Sequence, residues 1–374
     1  MEPEAGAEAT ALTAAPRAAL ASLPRGRASV VHLPGHWFIA ATSRELGREP
    51  LATTLFGTPV VLFRGQGGRA GALLDRCPHR NAPLSLGRVR DGALQCRYHG
   101  WRFATDGACT FIPSLTGSSA AKARNAHALP TLEQQGFVWV YTRASQGDLD
   151  PHPPSTMPHC FARLDDERYT TVRQVVEAEG TLYSTLENAL DVPHTAFLHR
   201  GLFRSESRGL TIEAKVRRTS DRVEAEYVGE PRPPGILARL LSPSGGVVAH
   251  FDRFILPSIA QVEYAIGTEN HIVVDSVMTP VSDFRTRVYA VVSFRTRLPA
   301  WLIRPFVKPL ALHVFRQDAF ILKKQTETIR AFGGEQFAST EIDLLGKHIW
   351  RLLKAAERGD ADVGDETNVV SLVV

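Results

Sequence analysis

At 374 residues, 44% of them hydrophobic and 22% charged, the chain is long enough for roughly two to three globular domains and is neither disordered nor fibrous in composition. Its formal charge of +4 is dispersed, which speaks against nucleic acid as a partner. Four cysteines are too few for a disulfide scaffold, and no apolar run reaches the length of a spanning helix, so a reducing, cytoplasmic location with at most peripheral membrane contact is expected.

Residues 1–30 are Ala-rich with an acidic start, lack the basic start and compact apolar core of a signal peptide, and read as a disordered or weakly helical tail. Ordered sequence begins near His36, where "HWFIAATSREL" starts as a strand and ends in a turn. "TPVVLFRG" and "AGALLDRC" flank "GQGG", a hairpin signal. Gly65, Gly67 and Gly71 follow G-x-G-x-x-x-G with no helix after them, which is a turn rather than a phosphate loop. "GFVWVYT" is a further buried strand, and residues 31–150 form an all-β unit on this reading. The Pro-rich stretch 146–160 marks a boundary. Beyond it, a strand end and a helix over 175–199, five strand candidates, and helices over 299–332 and 339–359 make 151–374 an α+β unit, with an antiparallel sheet and segregated helices.

The chemistry is concentrated first in Cys77-Pro78-His79 and, sixteen residues later, Cys96-Arg97-Tyr98-His99. A disulfide between Cys77 and Cys96 would leave both histidines unexplained. Zinc takes Cys and His ligands, but C-x-H is tighter than the usual spacing of zinc knuckles. A [2Fe–2S] cluster with two Cys on one iron and two His on the other needs one Cys and one His from each of two loops, and this pair of motifs offers that. In the third reading the thiolates hold the buried iron and the imidazoles face outward on the other, and their neutrality raises the potential.

"CPHRNAPLSLG" and "CRYHGWRF" resemble the Rieske domain of Rieske-type non-heme iron oxygenases, the aromatic ring-hydroxylating oxygenase α-subunit family, in its smaller homotrimeric type. Respiratory Rieske proteins carry an extra cysteine two residues after each His; here those positions are Asn81 and Trp101. The resemblance implies a Rieske [2Fe–2S] domain followed by a helix-grip catalytic domain with mononuclear Fe(II).

A second donor set lies in "ENALDVPHTAFLH", which holds Glu187, Asn188, Asp191, His194 and His199. Two His with nearby carboxylates fit a 2-His-1-carboxylate iron site. On an uninterrupted helix, a spacing of five residues turns the two imidazoles about 140° apart, so convergence requires a bend, for which Pro193 is placed. The segment resembles the family pattern N/E-x-x-D-x-x-H-x-x-x-x-H from Asn188 through Asp191 and His194 to His199. By that resemblance the third ligand is Asp318, within "RQDAFILKKQ"; Glu327 and Asp343 are later candidates, and His313 is a packing or surface residue. The resemblance also gives Asp191 a bridging role between a neighbouring subunit's Rieske histidine and His194, and puts Asn188 close to the iron.

No NAD, flavin or plant-type ferredoxin motif is present, so electrons are expected from a separate NAD(P)H-dependent reductase or ferredoxin, docking near Arg80, Arg97 and Arg102. Oxygen would then be placed on a hydrophobic ring substrate, aromatic or steroid-like. The competing reading is an electron-transfer protein with a non-catalytic second domain. The apolar stretch 299–315 is either a core or interface helix or a hydrophobic entrance for substrate.

Overall fold

The computed structural model describes residues 32–142, 154–199, 211–230, 248–267, 270–296, 299–360 and 363–373; the tail over 1–30 lies outside them. The N-terminal part is all-β, built from three small antiparallel sheets. One carries the expected hairpin, Thr58–Arg64 paired with Ala70–Leu74, with Gly67 at φ 67° in its turn. A second pairs Trp37–Thr42 and Thr131–Gln134 with Phe137–Tyr141. The third joins Arg88–Arg90, Ala93–Gln95, Arg102–Phe103 and Cys109–Phe111, strands too short for an alternating pattern to be legible.

The second part is an eight-stranded antiparallel sheet in the order Thr170–Ala178, Arg285–Arg295, Asn270–Ser282, Ile259–Ile266, Val248–Ile255, Arg222–Val228, Thr211–Arg218, Glu366–Val373. All five expected strands are present. Two more escaped notice. Thr211–Arg218 buries only Ile212, Ala214, Val216 and Arg218 on alternate positions, a weak apolar signal. Glu366–Val373 pairs with it from about 150 residues away. Asn270–Ser282 and Arg285–Arg295 are buried on nearly every residue because both faces of the sheet are covered there.

One face meets the N-terminal part. Ile259, Val277, Tyr289 and Val291 share a core with Trp37, Ile39, Phe137 and Trp139. Thr279 Oγ1 donates to the Ile39 carbonyl at 2.8 Å, and the Phe56 amide donates to the Pro280 carbonyl at 2.8 Å. The other face takes three α-helices among the described residues: Leu182–Leu190, Ala300–Phe332 and Gly346–Arg358. The last was expected from 339, but Asp343 Oδ2 accepts the Thr340 amide at 2.5 Å, and this turn delays the helix to Gly346. The long helix Ala300–Phe332 lays Ile303 and Val307 on the sheet while Trp301 (75% exposed) and Phe306 (67%) face outward. Its first turns are therefore core on one side only.

Candidate metal centres

The first centre sits where the connection from Ala70–Leu74 to Arg88–Arg90 meets the turn between Ala93–Gln95 and Arg102–Phe103. Cys77 opens a tight loop in which its amide donates to the Ala82 carbonyl at 2.9 Å and the Asn81 amide returns to the Cys77 carbonyl at 2.9 Å. Cys96 opens the other: its amide donates to the Trp101 carbonyl at 2.8 Å, and Gly100, at φ 71°, donates back to the Cys96 carbonyl at 3.0 Å. Both thiols are buried, while His79 is half-buried and His99 exposed. The two imidazole centroids are 4.5 Å apart, and His79 stacks on Trp101 at 4.7 Å and 7°. Trp101, which stands where respiratory Rieske proteins have a cysteine, thus walls the histidine pair.

Burial pushes the Cys77 thiol up to about 11, against hydrogen bonds from the His79 and Arg80 backbone and with Cys96 adding to the rise. A thiol in that setting ionises when a metal takes its proton's place. Burial, His99 and Arg80 pull His79 below its ordinary value, keeping it in the neutral, ligating form. Two buried sulfurs with two outward imidazoles fit a Rieske [2Fe–2S] cluster.

Gly87 closes the first loop. A Cβ there would lie 2.1 Å from the Gln95 carbonyl oxygen and 2.9 Å from that of Leu84. Gly87→Ala is therefore expected to destabilise the N-terminal part by roughly 1–3 kcal/mol and to lower cluster content, read as a drop in melting temperature and in visible absorbance per chain. An unchanged melting temperature would contradict this close approach.

The second centre forms where the short helix stops. Thr181 caps Leu182–Leu190, its Oγ1 accepting the Ser184 amide at 3.1 Å. The helix ends at Asp191, which is extended, and the chain resumes as a single 3-10 turn over Pro193–Ala196. That break lets His194 and His199 converge, their Nε2 atoms 3.2 Å apart. Asp318, mid-way along the long helix, brings Oδ1 to 3.0 Å from His199 Nε2 and 3.6 Å from His194 Nε2. These three form the metal-type donor group found among the described residues, with ligand atoms all within 4.8 Å of one another. Buried Asp318 Oδ1 makes no hydrogen bond, as an oxygen reserved for a cation would. Burial raises the Asp318 carboxyl, but His194 and His199 outweigh it and hold it below the usual range. Burial lowers His194, yet Asp191 and Asp318 hold it up at about 9. The set fits a mononuclear iron with one face open.

The partners around the triad differ in how far they were foreseen. Asp191 Oδ2 lies 3.5 Å from His194 Nδ1. Gln317, beside Asp318 in sequence, brings its Oε1 to 2.9 Å from His199 Nδ1, so that nitrogen donates and leaves Nε2 to face the metal. Its signal was adjacency to Asp318. Asn188 is half-buried in the last turn of the short helix. Glu327 pairs with Lys324 at 2.8 Å, His313 is exposed, and neither Glu327 nor Asp343 joins the triad. Glu187, Asp191 and Asp343 instead share a small notch beside the centre, with Tyr227 on its wall. Burial, with Asp191 and Asp343 nearby, pushes Glu187 up to about 7. Arg102 departs from expectation: it is tied to Asp91 at 2.9 Å and covers Phe111, whereas Arg80 and Arg97 are exposed.

Comparison with known proteins follows this division. The family model of the Rieske [2Fe-2S] domain matches residues 36–132, and that of the vanillate O-demethylase oxygenase C-terminal domain matches 180–359. The oxygenase component of dicamba O-demethylase from Stenotrophomonas maltophilia is 35% identical over 164 residues, 44% of this chain and 47% of that protein, so the match spans about half of that relative. The vanillate O-demethylase oxygenase subunit of a Pseudomonas species is 26% identical over 356 residues, 87% of this chain and 96% of that protein. In fold, dicamba monooxygenase bound to 3,6 dichlorosalicylic acid superposes with a TM-score of 0.74 at 22% identity, covering 88% of this chain and 99% of that one. Its form with non-heme iron and dicamba gives 0.69 at 22% identity, with coverage of 88% and 99%. The chain thus carries a Rieske [2Fe-2S] domain followed by an oxygenase domain of the vanillate O-demethylase type.

Proposed function

We propose that the chain is the oxygenase component of a multicomponent system. It takes electrons from a separate NAD(P)H-dependent reductase or a ferredoxin. With O₂ it hydroxylates or oxidatively demethylates a hydrophobic ring substrate, aromatic or steroid-like. The observation that carries this reading is the convergence of His194, His199 and Asp318 in the unit that lacks the Cys/His loops. An electron carrier with an inert second domain has no use for such a donor set.

When bound, the cluster supplies single electrons and the mononuclear iron supplies reductive activation of O₂. Cys77, Cys96, His79 and His99 would hold the former, and His194, His199 and Asp318 the latter. Gln317 fixes the His199 tautomer, and Asp191 orients His194. In this reading the chain is a cytoplasmic homotrimer; its four cysteines are free thiols, and no described helix is long and apolar enough to cross a membrane. The exposed histidine edge of one subunit, flanked by Arg80 and Arg97, complements the carboxylate notch of Glu187, Asp191 and Asp343 on the next.

Asp191→Asn keeps the side chain's size and removes its charge. Both iron centres are expected to remain while coupled turnover falls about 10- to 100-fold; unchanged turnover would remove Asp191 from this role. The reading as a whole is tested by incubating the chain with a surrogate reductase, labelled O₂ and a panel of aromatic and steroid ring compounds. Label in a product supports it, and electron transfer without label in any product contradicts it.

A further inference from the structure

The sheet face beneath the short and long helices carries one polar cluster that the two metal centres do not use. Cross-strand register places Tyr227, His250, Tyr264 and Ile272 side by side in one row. Asp252, Val262, Val274 and Val292 form the next row on the same face. Val274 and Val292 pack with Ile303 of the long helix, which carries Asp318. Val262 packs against the cluster that includes Leu186 and Leu190 of the short helix, which leads into Asp191 and His194. Both rows therefore lie on the sheet face that the short and long helices cover. Val262, Val274 and Ile272 are only half-buried in mid-sheet, which leaves apolar surface for a ligand to cover.

His250 is fully buried, its ring stacked between Tyr227 at 4.4 Å and Tyr264 at 4.0 Å. Its Nδ1 is 2.6 Å from Glu230 Oε2 and its Nε2 is 3.1 Å from Asp252 Oδ1. Burial lowers its pKa, but Asp252 and Glu230 outweigh that and hold it at about 9, so it is a cation at neutral pH. Asp252 is 2% exposed on its side chain, and its Oδ2 is buried without a hydrogen bond. Such an oxygen is costly to leave bare and favours a donor that can be brought to it.

We propose that Asp252 is the polar anchor of the substrate pocket, selecting ring compounds that present a hydroxyl or amino group and rejecting those that present a carboxylate. The proposal rests on the reading that substrate lies between the sheet and the iron ligands. The apolar strand residues hold the ring, and Asp252 Oδ2 accepts the hydrogen bond that fixes its orientation. A carboxylate there would meet like charge in a buried setting.

The test is anaerobic binding, by calorimetry, of para-butylphenol, para-butylaniline, para-butylanisole and para-butylbenzoate to the iron-loaded chain. A 3-hydroxysteroid and its 3-oxo counterpart extend the comparison to larger rings. The donor-bearing member of each set is expected to bind about 10- to 100-fold tighter than its partner without a donor, the range for a hydrogen bond to a charged group. The phenol and aniline arms separate hydroxyl from amine recognition. Asp252→Leu, which removes the acceptor, should erase that ratio, and Asp252→Asn, which keeps the shape and leaves only a neutral acceptor, should reduce it and admit the benzoate. Equal binding of phenol and anisole, preference for the benzoate, binding of none of the compounds, or an unchanged ratio in both variants overturns the assignment. Iron content and the Rieske spectrum, recorded on the same samples, separate this failure from failure of the oxygenase reading.

Discussion

Asp318→Ala is expected to strip the mononuclear iron while leaving the Rieske spectrum intact, and to lower substrate-coupled O₂ consumption by at least about 100-fold, beyond what loss of a ligand's outer partner costs. The residue sits in the interior of a 33-residue helix, where alanine is the best helix former, so the backbone that positions Gln317 should persist. What disappears is the only carboxylate of the three-member donor group. The two imidazoles, 3.2 Å apart at Nε2, would then have no carboxylate ligand beside them to hold a ferrous ion. The cluster loops belong to the N-terminal part, and none of their residues is in this donor group. Metal analysis and the visible spectrum of one sample decide the matter. Retention of full mononuclear iron would show that another residue supplies the third ligand.

Cys96→Ser is expected to have the complementary effect. The visible absorbance should vanish and iron should fall from about three to about one per chain. Cys96 is 2% exposed and anchors its loop through the Trp101 carbonyl, so the substitution removes a thiolate and nothing on the surface. The mononuclear iron should stay, since His194, His199 and Asp318 hang on the helices of the other part. Loss of both irons together would instead mean that the shared core around Trp37, Phe137, Tyr289 and Val291 couples the folding of the two parts. Unchanged colour would exclude Cys96 as a cluster ligand.

The two metal centres differ in how much of each was legible in the sequence. The Cys/His loops are local: each pair lies within four residues, and turn-forming neighbours surround it, so spacing alone narrows the chemistry. His194 and His199 were visible as candidates, but a helical spacing places them apart. The structure resolves this by ending the helix at Leu190 and inserting a 3-10 turn after Pro193. Asp318 came from resemblance, and nothing in its own neighbourhood marks it; it meets the histidines only because the long helix crosses the sheet. The Gln317 hydrogen bond and the contact of His250 with Glu230 were not legible for the same reason, since those partners lie outside the other residue's element and are brought together by tertiary packing. Arg102 was misread because composition does not show that Asp91 and Phe111 already occupy it. The edge strand Glu366–Val373 was missed because its pairing with Thr211–Arg218 is long-range and it buries only Leu372, and Thr211–Arg218 was missed because its buried face is three apolar residues and a salt-bridged arginine.

The central claim is that the chain holds a cluster and a separate, open ferrous site. It is tested most directly by iron analysis of the purified chain together with electron paramagnetic resonance after adding nitric oxide to the reduced protein. About three irons per chain and a high-spin ferrous–nitrosyl signal that is absent from Asp318→Ala are predicted. Two irons per chain with no nitrosyl signal would contradict the account and leave an electron carrier.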